Sequence, residues 1–105
     1  MPDIATLNDN FRKTFIGGEV LLSAGIAAMS SEDKANIVSL VQNFDDFNED
    51  NDPYGEHDFL SFDYKGNKIF AKIDYYNEKM DGGSENPADV TKTTRILTIM
   101  LAEDW

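Results

Sequence analysis

Apolar residues recur at helical spacing in two stretches of the chain. Asp3 can cap a first helix, which Gly17 and Gly18 would end and whose apolar face would carry Ile4, Leu7, Phe11 and Phe15. Ser30, followed by Asp33, resembles a capping box with Asp in place of the usual Glu or Gln, and it predicts the start of a second helix. The apolar stripe of that helix would be formed by Ile37, Leu40, Val41 and Phe44.

Strands are predicted where apolar and polar residues alternate instead. Two alternating segments within 57–75 flank Lys65-Gly66-Asn67, a turn of hairpin length, and so predict a β-hairpin. The segment 93–101 is rich in Thr, Ile and Leu, which favours a strand buried on both faces, with a short helix as the alternative. A short run at 19–23 predicts a further strand, and 25–29 is predicted to be a tight connection. This order predicts an α+β fold, with two helices packed on a mainly antiparallel sheet of about four strands.

The length of 105 residues fits a single domain spanning residues 1–105. We expect its core to bury seven apolar side chains in particular: Phe11, Leu40, Phe44, Leu60, Ile73, Leu97 and Ile99. The chain contains no cysteine, so disulfides, thiolate metal ligands and cysteine catalysis are excluded.

The charge balance narrows the classes of partner. Lys and Arg number 9 against 20 Asp and Glu, which gives a net charge of −11 at pH 7. Such a chain is not expected to bind nucleic acid directly by neutralising phosphates, nor to be drawn to an anionic membrane. Residues 1–11 lack the basic and apolar regions of a signal peptide, and no apolar run is long enough to span a membrane. We therefore expect a cytoplasmic protein.

Acidic residues are concentrated in one predicted loop. Seven carboxylates and no Lys or Arg fall between positions 45 and 58, and these seven are the predicted partner-binding residues: Asp45, Asp46, Glu49, Asp50, Asp52, Glu56 and Asp58. Such a cluster repels itself at neutral pH, so helix dipoles, backbone N–H groups, a cation or a basic partner should offset the repulsion.

A metal site is the first alternative for this loop. An EF-hand begun at Asp50 fails, because Tyr54 takes the fifth position and Ser61 the twelfth, where a bidentate Glu is needed. The only histidine, His57, would lie on the opposite strand face from its acidic neighbours, which favours a packed histidine hydrogen-bonded to the loop over a metal ligand. We therefore expect no cofactor and no tight metal site. The alternative is a metal-dependent enzyme that gathers one ion with Asp50, Asp52, Glu56, His57 and Asp58.

Several blocks of the chain resemble a bacterial domain-of-unknown-function family. The blocks are spread along nearly the whole sequence, at 8–12, 23–25, 44–47, 50–59, 72–76 and 94–103. The resemblance implies a small acidic protein of the kind carried on plasmids, phages and other mobile elements. The family has no established catalytic residues, and small acidic proteins on such elements often inhibit host defence, as anti-CRISPR and anti-restriction proteins do.

Charge and resemblance together lead to a hypothesis of a non-enzymatic inhibitor. An anti-CRISPR protein of this kind would present the seven carboxylates as a DNA-mimicking surface to the basic groove of a nuclease, either a Cas effector or a restriction enzyme. It would act as a monomer or homodimer. A housekeeping protein-interaction module without a link to nucleic acid is the second alternative.

Overall fold

A mixed four-stranded sheet organises the chain and confirms the predicted α+β fold. The computed structural model describes residues 3–105, in which the helices are α1 (Ile4–Thr14), α2 (Ala24–Ala27) and α3 (Ser31–Asn43). The strands are β1 (Gly18–Leu22), β2 (Phe59–Tyr64), β3 (Asn67–Tyr76) and β4 (Thr94–Leu101), and a 3-10 turn follows at Ala102–Asp104. The sheet order is β1-β4-β3-β2, with β1 parallel to β4 and the other neighbours antiparallel. No helix within residues 3–105 is both long and apolar enough to cross a membrane.

Both long helices begin at the predicted caps. Asp3 Oδ1 accepts a hydrogen bond from the Thr6 backbone N–H at 2.8 Å, and Ser30 Oγ accepts one from the Asp33 N–H at 3.1 Å. The chain then leaves α1 through Phe15, which has a left-handed φ of 59°. At Gly18 a Cβ would lie 2.2 Å from the Arg95 carbonyl oxygen, so only glycine lets β1 start this close to β4.

The predicted hairpin is confirmed, with a shorter turn and a later start. Lys65 and Gly66 both have positive φ and form a two-residue turn of the kind that favours hairpins, while Asn67 already pairs with Tyr64. His57 was expected within the first strand, but its φ of 55° is incompatible with extended backbone. Strand β2 therefore starts only at Phe59.

The core lies between the helices and one face of the sheet. Five of the seven predicted core residues are buried there, namely Phe11, Leu60, Ile73, Leu97 and Ile99. The prediction was wrong for Leu40, which is 44% exposed, because α3 turns the stripe of Ile37 and Val41 toward the sheet. Phe44 is only half-buried, since it follows the last turn of α3 and meets the loop beyond.

The opposite face of the sheet is only partly covered. Strand β4 buries Ile96 and Met100 on that face, which confirms the prediction of a strand buried on both sides. Trp105 folds back there and packs edge-on against Phe59 and Phe70. The prediction of a tight connection at 25–29 was wrong, because most of this segment belongs to the one-turn helix α2, which Ser23 caps.

Candidate functional site

The acidic loop, defined here as residues 44–58 between α3 and β2, divides its carboxylates into two groups. Four of the predicted residues are exposed, and we call them the outer carboxylates: Asp45, Asp46, Glu49 and Asp50. The other three are partly buried, and we call them the inner carboxylates: Asp52, Glu56 and Asp58. The structure therefore does not bring all seven predicted residues onto one surface.

Asparagine side chains fix the backbone beneath the outer carboxylates. Asn48 Oδ1 accepts hydrogen bonds from the N–H groups of Asp50 and Asn51, at 2.9 and 3.2 Å. Asn51 Oδ1 accepts from the Asn48 N–H at 2.8 Å, and Asn51 Nδ2 donates to the Asp46 carbonyl at 2.7 Å. These local bonds replace the ladders of regular structure, so the loop has a defined shape without a helix or strand.

His57 fastens the acidic loop to α1. Its Nδ1 lies 3.0 and 3.1 Å from the two carboxylate oxygens of Asp9, and its Nε2 lies 3.5 Å from Asp52 Oδ2. Its ring stacks on Phe47 with 4.1 Å between centroids, and the guanidinium of Arg12 lies 5.4 Å from the centroid of Phe47. The histidine is therefore packed as predicted, but its ring is hydrogen-bonded to Asp9 of α1, while Asp52 of the acidic loop lies near the second ring nitrogen.

A buried polar network lies next to this attachment. The side chain of Asn8 donates from Nδ2 to the Glu56 carbonyl and to the Tyr75 hydroxyl, both at 2.8 Å. Its Oδ1 accepts from Arg95 Nε at 2.7 Å, and Tyr75 in turn donates to Glu56 Oε1 at 3.1 Å. Burial raises the pKa of the Tyr75 hydroxyl, which therefore remains a neutral donor at physiological pH. Glu56 is thus held by α1 and β3 instead of facing a partner.

Asp58 is the inner carboxylate with the most unfavourable surroundings. Burial raises the pKa of Asp58, and the negative charges of Glu56, Asp52 and Asp74 raise it further. Its backbone carbonyl accepts the Ile73 N–H at 2.8 Å, so the residue continues the pairing of the hairpin beyond β2. Asp58 therefore belongs to the support of the loop and not to its exposed surface.

The outer carboxylates have no counter-ions among residues 3–105. None of the ion pairs formed by residues 3–105 involves Asp45, Asp46, Glu49 or Asp50. The two arginines, which could have neutralised them, are buried instead, with Arg12 bonded to Asp9 at 2.9 Å. Exposed negative charge without a local partner remains available to attract a basic surface.

The ligand set of the alternative metal enzyme does not converge. Across residues 3–105, no group of three or more His, Asp or Glu side chains is placed to hold a metal ion. Asp50 is exposed at the loop surface, whereas His57 uses its ring nitrogens on Asp9 and Asp52. The geometry therefore gives this alternative no support.

Sequence reasoning missed the residues that attach the loop. Asn8, Asp9, Arg12 and Arg95 all bond across the fold, yet an apolar-periodicity search passes over polar residues. A detectable signal is the spacing of Asn8 and Arg12, which places two polar side chains one helical turn apart beside Leu7 and Phe11. Polar residues beside an apolar stripe can be buried when they carry specific hydrogen bonds.

Comparison with known proteins places the chain in a family without a known activity. No curated protein and no solved structure matches the chain. A family model described as a protein of unknown function (DUF3768) matches residues 22–104, which include the acidic loop, α3 and three of the strands in full. The chain therefore belongs to DUF3768, a family of unknown function.

Proposed function

We propose that this protein is a non-enzymatic inhibitor that binds the nucleic-acid groove of a host-defence nuclease, with a Cas effector as the principal partner class. The observation that carries the proposal is the set of outer carboxylates, which are exposed and without counter-ions among residues 3–105. These charges would stand in for the phosphates of DNA or guide RNA and compete for the same Lys and Arg side chains.

The shape of the loop supports this mechanism. Asn48 and Asn51 hold the backbone that carries the outer carboxylates, and His57 holds the loop on α1. A surface ordered before binding loses less conformational entropy when the partner docks. The same loop in a flexible chain would bind its basic groove more weakly for the same charge.

The genetic setting of the proposal comes from the resemblance to small acidic proteins of plasmids, phages and other mobile elements. An element that carries such a protein gains when the defence nuclease of its host is occupied. Competition for a groove needs only charge and shape, and no catalytic residue. A restriction enzyme is the second member of the same partner class.

The test compares two variants of equal net charge. The outer variant replaces the outer carboxylates (Asp45→Asn, Asp46→Asn, Glu49→Gln and Asp50→Asn). The control variant removes four exposed carboxylates elsewhere, for which no ion pair occurs within residues 3–105 (Glu19→Gln, Glu78→Gln, Glu85→Gln and Glu103→Gln). Each variant and the wild type are titrated against purified Cas effectors and restriction enzymes, in DNA-cleavage assays over a series of salt concentrations.

The expected result is a loss of inhibition confined to the outer variant. The loss should be largest at low salt and arise mainly from slower association, because exposed charges steer encounter more than they hold a complex. Equal potency of wild type and outer variant at every salt concentration contradicts mimicry. Absence of inhibition by the wild type, combined with capture of a partner that does not bind nucleic acid, would instead identify an interaction module.

A further inference from the structure

Arg95 is a buried cation without a carboxylate partner among residues 3–105. The residue is 3% exposed, and its guanidinium lies over the ring of Tyr75, 5.2 Å from the centroid. Nε donates to Asn8 Oδ1 at 2.7 Å and Nη2 donates to the Pro87 carbonyl at 2.6 Å. The other arginine, Arg12, is also buried but has the carboxylate of Asp9 at 2.9 Å.

The surroundings of Arg95 leave one side of its charge unsatisfied. Burial lowers the pKa of the Arg95 guanidinium, since the interior solvates the cation less well than water does. Its third nitrogen, Nη1, makes no hydrogen bond to residues 3–105. A buried charge is stable when it is paired, so a small anion at Nη1 would complete the site.

A cavity of about 220 Å³, between α1 and the segment that leads into β4, has Arg95 among its lining residues. Its walls are more apolar than polar, since Leu7, Phe11, Ile16 and Val90 line it together with Asn10, Thr93 and Arg95. Two of the lining side chains, Ile16 and Val90, are 79% and 61% exposed, so the cavity is open to solvent on their side. A concave apolar site with one convergent charged group is the usual form of a small-ligand site.

We propose that this cavity, the Arg95 cavity, binds a small aliphatic monocarboxylate. The carboxylate would accept a charge-assisted hydrogen bond from Arg95 Nη1, and the alkyl chain would lie between the apolar walls. The cavity holds roughly seven water volumes, which matches a short acid and not a nucleotide or a sugar phosphate. Apolar walls and a net charge of −11 also disfavour doubly charged phosphates.

The probe is 4-methylpentanoate, with its neutral amide, 4-methylpentanamide, as the matched control. Each is titrated into the ¹⁵N-labelled full chain, and backbone and arginine side-chain resonances are followed by NMR. We expect saturable shifts of Leu7, Ile16, Val90 and the Arg95 Nε–H with the acid, with an affinity in the millimolar range. The amide should bind at least about tenfold more weakly, because it lacks the charge that Arg95 recognises.

Three variants connect binding to the cavity. Arg95→Gln should abolish binding of the acid; because Arg95 also holds Asn8 and Pro87, a second variant avoids the risk of misfolding. Ile16→Asp adds a negative charge at the exposed rim and should weaken binding by roughly fivefold. Asn67→Asp adds the same charge at the far end of β3, roughly 25 Å along the strand from Tyr75, and should leave binding unchanged.

Three outcomes would overturn the proposal. The first is the absence of shifts in the cavity at acid concentrations up to about 20 mM. The second is equal binding of acid and amide, which would show that Arg95 does not recognise the charge of the carboxylate. The third is equal weakening by Ile16→Asp and Asn67→Asp, which would attribute the effect to overall charge. None of these results depends on the acidic loop, so the proposed inhibitor function is tested separately.

Discussion

At the scale of single residues, Asn8 connects parts of the chain that are remote in sequence. Its amide joins α1 to the acidic loop through Glu56, to β3 through Tyr75 and to β4 through Arg95. The residue is fully buried, so water cannot replace a partner that is lost. The shape of the acidic loop therefore depends on a residue outside that loop.

Replacement of Asn8 should destabilise the fold more than its small size suggests. Asn8→Ala leaves Arg95 Nε and the Tyr75 hydroxyl without their shared partner, so we expect the free energy of unfolding to fall by about 3 kcal/mol. Asn10→Ala, two residues further along α1 and exposed, should change it by less than about 0.5 kcal/mol. Urea unfolding followed by circular dichroism measures both. Similar values for the two variants would mean that the buried network contributes little.

The number of acidic residues between positions 45 and 58 located the acidic loop, but it could not distinguish the outer from the inner carboxylates. Whether a carboxylate is outer or inner depends on contacts over long sequence separations, such as Asp9 with His57 or Tyr75 with Glu56. Those pairings are set by the packing of α1 on α3 and the sheet, which no local pattern encodes. His57 also adopts a positive φ, which no periodic pattern in the sequence indicates.

At the scale of elements, the strength of a periodic pattern decided what could be predicted. The two long helices and the hairpin each repeat their pattern over several turns or residue pairs, and all three were predicted. Helix α2 has only four residues, too few for a helical period to be read, and it was predicted as a connection. The predicted apolar stripe of α3 was also too wide, because it included Leu40, which lies beside the buried residues but faces solvent.

Two substitutions on α3 test which of its faces supports the core. Ile37→Ala removes a side chain with no exposed surface, and we expect a loss of about 2–5 kcal/mol in the free energy of unfolding. Leu40→Ala, one turn further on, should lose less than about 1 kcal/mol, because the side chain is already 44% exposed. Chemical denaturation of the two variants and the wild type measures both losses in the free energy of unfolding. A larger loss for Leu40→Ala would show that α3 is rotated about its axis.

At the scale of the whole molecule, the high net negative charge opposes folding. The net charge of −11 is carried by a chain whose two arginines are buried, so its cationic surface consists of lysines. Folding brings the carboxylates closer together than they are in the unfolded chain, which destabilises the compact state. A protein with no need for surface charge would gain stability by losing some of it. The outer carboxylates, which form no ion pair within residues 3–105, are therefore consistent with the proposed role in binding.

This opposition predicts how the fold responds to salt. Screening weakens repulsion between exposed charges, so the wild-type melting temperature should rise by a few degrees between about 20 and about 300 mM NaCl. The outer variant should start from a higher melting temperature and rise less, because its four missing charges lie close together along the chain. The control variant has the same net charge, but its missing carboxylates are dispersed over the sequence. Its rise in melting temperature with salt should therefore be intermediate between those of the wild type and the outer variant. Thermal unfolding followed by circular dichroism at each salt concentration provides the measurement. Identical salt responses of the outer and control variants would show that the repulsion is spread over the surface and not concentrated in the acidic loop.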